Sequence, residues 1–177
     1  MSPTMTPEMS PVMKSVSGEI DQETAITKRV LQRVPTDKLG WKPHPKSMTL
    51  GQLAMHVATI PGGIANLAKV DVFEIDPANF APRQPESTEE VLAALDAGVQ
   101  AAKEYLAGVS EASLMGTWKA KVHGREIMAM PRVGMLRALM LNHWYHHRGQ
   151  LSVYLRLLEV PVPSIYGPSA DDNPFSE

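Results

Sequence analysis

The chain has 177 residues, 44 % of them hydrophobic and 20 % charged, with a net charge of −2 and no cysteine. That length fits a single domain able to bury a core without staples. The near-neutral charge offers nothing to a nucleic acid or an anionic membrane, and the lack of cysteine excludes disulfides, thiolate metal sites and cysteine nucleophiles.

The N-terminal stretch 1–16, "MSPTMTPEMSPVMKSV", carries three prolines in its first twelve residues and reads as a flexible or extended lead-in to one domain over 17–177. It shows no basic stretch followed by an apolar run, so it is not a secretory signal. No run of about 18 apolar residues exists to span a membrane, and the expected location is the cytoplasm.

A first helix is expected over about 18 to 34, where Ile20, Leu31 and Val34 fall at compatible spacing before Pro35. A second opens at Thr49. Thr49 and Gln52 have capping-box spacing, in which each side chain satisfies a free backbone N–H. Leu53, His56 and Ile60 then share a face, and Pro61 stops or kinks the helix unless "GGIANLAKV" continues it. The stretch 71–86, "DVFEIDPANFAPRQPE", is long and Pro-rich, as functional rims and disordered connections are.

A second capping box, Ser87 and Glu90, opens a third helix with Leu92, Leu95, Val99, Ala102 and Leu106 at steps of three and four. In "TWKAKVHGREIMAM", Trp118, Ala120 and Val122 alternate with Lys119 and Lys121. His123-Gly124 then reads as a tight turn, so a short hairpin is expected. A fourth helix runs from Pro131, suited to a first helical position, to about Leu158. The Pro- and Gly-rich C-terminus is irregular and expected to pack back through Val160, Ile165, Tyr166 and Phe175. The expected architecture is all-α: a four-helix bundle with a short β-hairpin between helices three and four.

Three of the six histidines lie in "LNHWYHHRGQLSVYLR", residues 141–156. Side chains four apart lie about 40° apart on a helix, so His143 and His147 share a face. Their row contains Leu136, Met140, Leu151, Tyr154 and Leu158 and is otherwise apolar, which predicts that both point inward. The row through His146 is mixed and belongs on the flank. Two inward histidines one turn apart serve equally well as hydrogen-bonded core residues or as metal ligands. His56 becomes a third ligand if helices two and four pack together. Three neutral imidazoles suit zinc, nickel, copper, cobalt or iron(II), with a coordination position left open. His44 and His123 read as solvated loop histidines. Arg148 and Gln150 read as a solvated flank or dimer contact in preference to groups supporting the site. Gly149 suggests close approach of a neighbouring helix, and the eleven methionines read mainly as core filler.

The blocks "HPKSMTLGQLAMHVATIP" (44–61) and "LNHWYHHRGQLSVYLRLLEVPVPSIYGPSADDNPF" (141–175) resemble the DinB-type proteins of the DinB/YfiT superfamily. The resemblance implies a four-helix bundle of down-up-up-down character, often homodimeric. It also implies a divalent metal, zinc or nickel foremost, held by one histidine of the second helix and an H-x-x-x-H pair of the fourth. Those positions are His56, His143 and His147. The implied activity is hydrolysis or thiol S-transfer on a small molecule, with a low-molecular-weight thiol as candidate partner. The alternative is a non-catalytic dimeric bundle that binds a metal or small ligand. Ligation needs neutral imidazoles, so occupancy is expected to fall as pH drops through about 6.5.

Overall fold

The computed structural model describes residues 9–79 and 83–176. Helix α1 spans Pro11–Leu31. It starts well before the expected Gly18 because Ser10-Pro11 is itself a helix opening. The Ser10 side chain accepts from the Met13 N–H, and proline occupies the first turn, where its missing N–H costs nothing. Residues 11–16 are therefore helix, with Met13 buried, and not lead-in. Residues 1–8 of the expected lead-in lie outside the described residues.

Helix α2, Leu50–Leu67, opens with the complete Thr49/Gln52 capping box and runs straight through Pro61. It is the central helix, buried on most of its circumference. Helix α3, Thr88–Gly108, starts where Ser87 accepts from Glu90 N–H. The reciprocal bond slips by one residue: the Glu90 carboxylate accepts from Glu86 N–H at 2.8 Å.

Helices α2 and α3 meet backbone to backbone at Gly62 and Gly98. A Cβ on Gly62 would stand 2.7 Å from the Gly98 Cα, closer than any real contact allows. Gly62→Ala must force the helices apart. It is expected to cost about 1–3 kcal/mol by urea denaturation. Gly63→Ala, with nothing within 4 Å of its Cβ, should be neutral or stabilising by up to about 1 kcal/mol. Equal effects at the two sites would refute this close-approach role.

The expected hairpin is present. Strand β2 (Thr117–Val122) pairs antiparallel with β3 (Arg125–Pro131), with Trp118 and Ala120 buried on one face. The turn places His123 at φ 49° and Gly124 at φ 75°, a left-handed pair that suits a two-residue hairpin. The sheet also has a third strand that the sequence did not announce. Residues Val72–Ile75 form β1, parallel to β2, so the head of the Pro-rich connection is structured. A short helix α4, Glu111–Met115, precedes β2.

The last helix is continuous in direction but not in kind. Pro131 caps α5 (Arg132–Met135), which passes into a π-helical segment, Leu136–Asn142, and then α6, His143–Leu157. Arg132, 2 % exposed, anchors its start. It donates to the Ala68 carbonyl at 2.8 Å and to Asp71 at 2.5 Å. The C-terminal segment packs back through Val162 and Ser164, which are buried, and through half-buried Val160 and Ile165. Phe175, 78 % exposed, does not take part; Tyr166, 68 % exposed, packs back through its hydroxyl, which bonds to Arg148 and Glu23. Among the described residues no helix is long and apolar enough to cross a membrane.

Candidate metal centre

Helix α2 presents His56 from its middle turn, and α6 presents His143 and His147 from its first two turns. The three rings converge. His143 Nε2 lies 3.4 Å from His56 Nε2 and 2.7 Å from His147 Nε2. Ring centroids are 4.5–5.1 Å apart. Among the described residues this is the one cluster of three or more histidine or carboxylate groups with ligand spacing, and it contains no carboxylate.

The second nitrogens explain why the Nε2 atoms face one another. The His143 ring bonds to the Leu139 backbone carbonyl. Since its Nε2 is turned to the other histidines, Nδ1–H is the donor. Leu139 lies in the π-helical segment one turn before His143, whose own backbone N–H goes to Met140 O. His147 Nδ1 lies 2.8 Å from Gln150 Oε1, an atom that can only accept. Gln150 is oriented in turn by its amide nitrogen, 3.1 Å from His146 Nε2. With both Nδ1 atoms protonated, the neutral rings of His143 and His147 direct bare Nε2 lone pairs at each other. A cation between them relieves that repulsion, as does a proton on either Nε2. Fixing the tautomer through the far nitrogen is how metal-ligating imidazoles are held.

Tetrahedral coordination at about 2.0–2.1 Å places ligand nitrogens roughly 3.3 Å apart. The His56–His143 separation already meets this, and the His143–His147 pair needs a small opening. The donor set of three neutral nitrogens and no sulfur could hold a divalent first-row metal ion.

Burial lowers the basicity of all three imidazoles. His56 falls to about 4, first through loss of solvent and then through repulsion from His147 and His143. His143 and His147 are also lowered by burial, opposed by the Leu139 and Gln150 hydrogen bonds respectively. This moves the expected proton competition from about 6.5 to lower pH. It also sets a sign for stability. Below about 6.5 the unfolded histidines take up protons that the folded ones refuse, so the unfolded state gains. The metal-free protein should lose several degrees of Tm as pH falls from 7 to 5, and a flat Tm across that range would contradict the half-buried, neutral trio.

His146 is exposed on the flank, and His44 and His123 are exposed in their turns, as expected. Other expectations need correction. The fully buried row of α6 is Trp144, Arg148, Leu151 and Leu155. His143 and His147 therefore border the deepest row and stay half-buried, within reach of solvent. Arg148 is not a flank residue: it is 1 % exposed. Gln150 is exposed, yet it holds a ring of the trio. Gly149 has nothing within 4 Å; the close helix approach occurs at Gly62 and Gly98.

Two cavities border the trio. One, about 510 Å³ and open, runs beside His147 past Lys46, Ser47, Gln150 and Tyr154. The other, about 200 Å³, lies between the sheet and the helices, with His143 in its wall.

The chain matches the family model described as the DinB family over residues 9–174. It is similar to the uncharacterized protein YrdA of Bacillus subtilis (strain 168), 26 % identical over 152 residues, 85 % of each chain. A solved DinB-like protein from Bacillus cereus ATCC 10987 superposes with a TM-score of 0.67 at 25 % identity, covering 86 % of this chain and 97 % of that one. The DinB-like protein YjoA from Bacillus subtilis gives 0.62 at 19 % identity, covering 82 % and 92 %, a likeness of fold alone.

Proposed function

The chain belongs to the DinB family, and from that premise we propose that it is a metal-dependent enzyme: His56, His143 and His147 hold a divalent cation, zinc or nickel, and the reaction transfers a low-molecular-weight thiol to a small electrophile. The observation that carries this reading is the set of three Nε2 atoms meeting at one point while Leu139 and Gln150 occupy the far nitrogens of His143 and His147. A divalent cation held by His56, His143 and His147 would lower the pKa of a bound thiol or water and so supply a nucleophile at neutral pH. The three histidines leave an open position beside solvent-accessible space.

Two separate cavities at one site favour transfer between two organic molecules over hydrolysis. The open groove suits the thiol: Lys46 is placed to pair with its carboxylate, while Ser47 and Gln150 offer hydrogen bonds. As the sulfur–carbon bond forms, the bond to the leaving group breaks. The leaving group takes that electron pair, and the thiol proton passes to solvent. A homodimer belongs to this reading, supported by the exposed row of Gly149, Val153 and Leu157 on α6.

The test loads the full chain with zinc or nickel and assays transfer of glutathione or cysteine to an aryl halide, alongside ester hydrolysis. Metal-dependent transfer lost in His147→Ala supports the reading. Ester hydrolysis without thiol transfer would replace it with a hydrolase. Stoichiometric metal with neither reaction would leave a dimeric binding bundle.

A further inference from the structure

We propose that the cavity between the sheet and the helices is the binding site for an unsubstituted alkyl or aryl group of about benzene to toluene size, making the acceptor substrate a hydrophobic small molecule. Its place in a reaction rests on the metal-centre reading above, but its capacity to bind does not.

The cavity measures about 200 Å³. The α2 end contributes Ile64 and Leu67, and the last helix contributes Leu139 and the His143 ring. The rest is one face of the sheet. Phe73 and Ile75 alternate inward on β1, Trp118 and Ala120 on β2, and Met128 enters from β3. Strand register puts Phe73, Ala120 and Met128 side by side in a single row across the three strands. Ala120 is the small residue in the middle of that row, and its short side chain leaves the hollow.

The lining is wholly apolar. The Trp118 indole N–H, which would otherwise offer a donor, is spent on the Leu67 carbonyl at 3.0 Å. A charged or hydroxylated group entering here would lose its water and find no partner, which excludes it energetically. An enclosed apolar cavity of roughly 150 Å³ takes up benzene; this partly open one has room for a slightly larger ring or a short branched chain. His143 fixes the orientation. Its ring closes one wall of the cavity and its Nε2 belongs to the trio. A hydrophobic group lodged under the sheet therefore holds the atom attached to it one imidazole away from the metal-binding nitrogens. The open groove at His147 is a different cavity with different lining, so the two substrates need not compete for space.

The experiment titrates toluene into the full chain labelled with 13C at methionine methyls, with and without zinc, and with benzoate as a charged control. The Met128 resonance, identified with Met128→Leu, should shift saturably with toluene and not with benzoate. Met115, 63 % exposed, should not respond. Ala120→Leu should weaken toluene binding at least tenfold, and Ala120→Val should weaken it less; both should keep wild-type helicity and zinc stoichiometry. If Ala120→Leu does not fold, Ala120→Val alone decides. No saturable shift at Met128, or an undiminished shift in the folded Ala120 variants, overturns the proposal. Toluene binding in a chain that takes up no zinc would instead overturn the metal reading and leave this site standing.

Discussion

His143→Ala is expected to lower zinc or nickel affinity by at least about 100-fold, measured by calorimetry on the metal-free protein. His143 is the shared member of the trio, with its Nε2 3.4 Å from His56 and 2.7 Å from His147. Its loss leaves two nitrogens on different helices and abolishes the Leu139 bond that orients the pair. Gln150→Ala removes no ligand but frees the His147 ring, and should cost about 10–100-fold, the usual effect of deleting a group that orients a ligand. His146→Ala, which removes an exposed histidine, should change affinity little. Equal losses in His146→Ala and His143→Ala would show that the metal sits elsewhere.

Arg148→Ala should destabilise the fold by about 3–5 kcal/mol, the usual consequence of stripping one partner from a buried ion pair. For a chain of this length that corresponds to a fall in Tm of about 10 °C or more. Arg148 lies beneath α1, α6 and the C-terminal segment. It pairs with Glu23 at 2.6 Å and donates to Thr27 Oγ1 at 3.0 Å and to Tyr166 Oη at 2.6 Å. The Tyr166 hydroxyl donates in turn to Glu23 at 3.0 Å, which closes the network. The guanidinium also sits 5.3 Å and 5.1 Å from the Tyr145 and Tyr166 ring centres, where a cation gains from the aromatic face. Alanine would leave the Glu23 carboxylate, 8 % exposed, buried without its counter-charge. Arg148→Met combined with Glu23→Leu should recover much of the loss, because the cost lies in the orphaned charge. A loss under about 1 kcal/mol in Arg148→Ala would refute the anchoring role.

The same helix shows what the sequence made legible and what it hid. The i, i+4 spacing of His143 and His147 was sufficient to put them on one face, and an apolar face on α2 was sufficient to nominate His56. Their partners followed a different logic. From sequence Arg148 belongs at the surface, because an arginine in a mixed row is ordinarily solvated. Its counter-charge, Glu23, lies 125 residues earlier on α1 and cannot be seen from local spacing. Gln150 lies three residues after His147, a spacing that does permit contact on a helix. That was the available signal for it.

The π-helical segment was illegible for a physical reason. It shifts the phase of the side chains within an unbroken helix, so a constant 100° step that correctly buries Leu136, Met140 and Leu151 puts His143 and His147 where Trp144 and Arg148 are buried. Residues 72–75 show the same limit in the sheet. Val72–Ile75 is four residues long in a Pro-rich stretch, and its register partners lie 47 residues downstream. A parallel edge strand of that length has no hairpin turn to announce it. The close approach of two helices was anticipated, but at Gly149. The helices instead meet at Gly62 and Gly98, where both backbones lack a side chain at the same height.

X-ray absorption at the zinc edge, on the full chain loaded with one equivalent and freed of excess, tests the central claim most directly. Ligation by His56, His143 and His147 predicts one zinc per chain, with three imidazole nitrogens at about 2.0–2.1 Å and one further light atom. The imidazole signal should be lost in His143→Ala. A shell of oxygen ligands alone, or a spectrum and stoichiometry unchanged in His143→Ala, would contradict it.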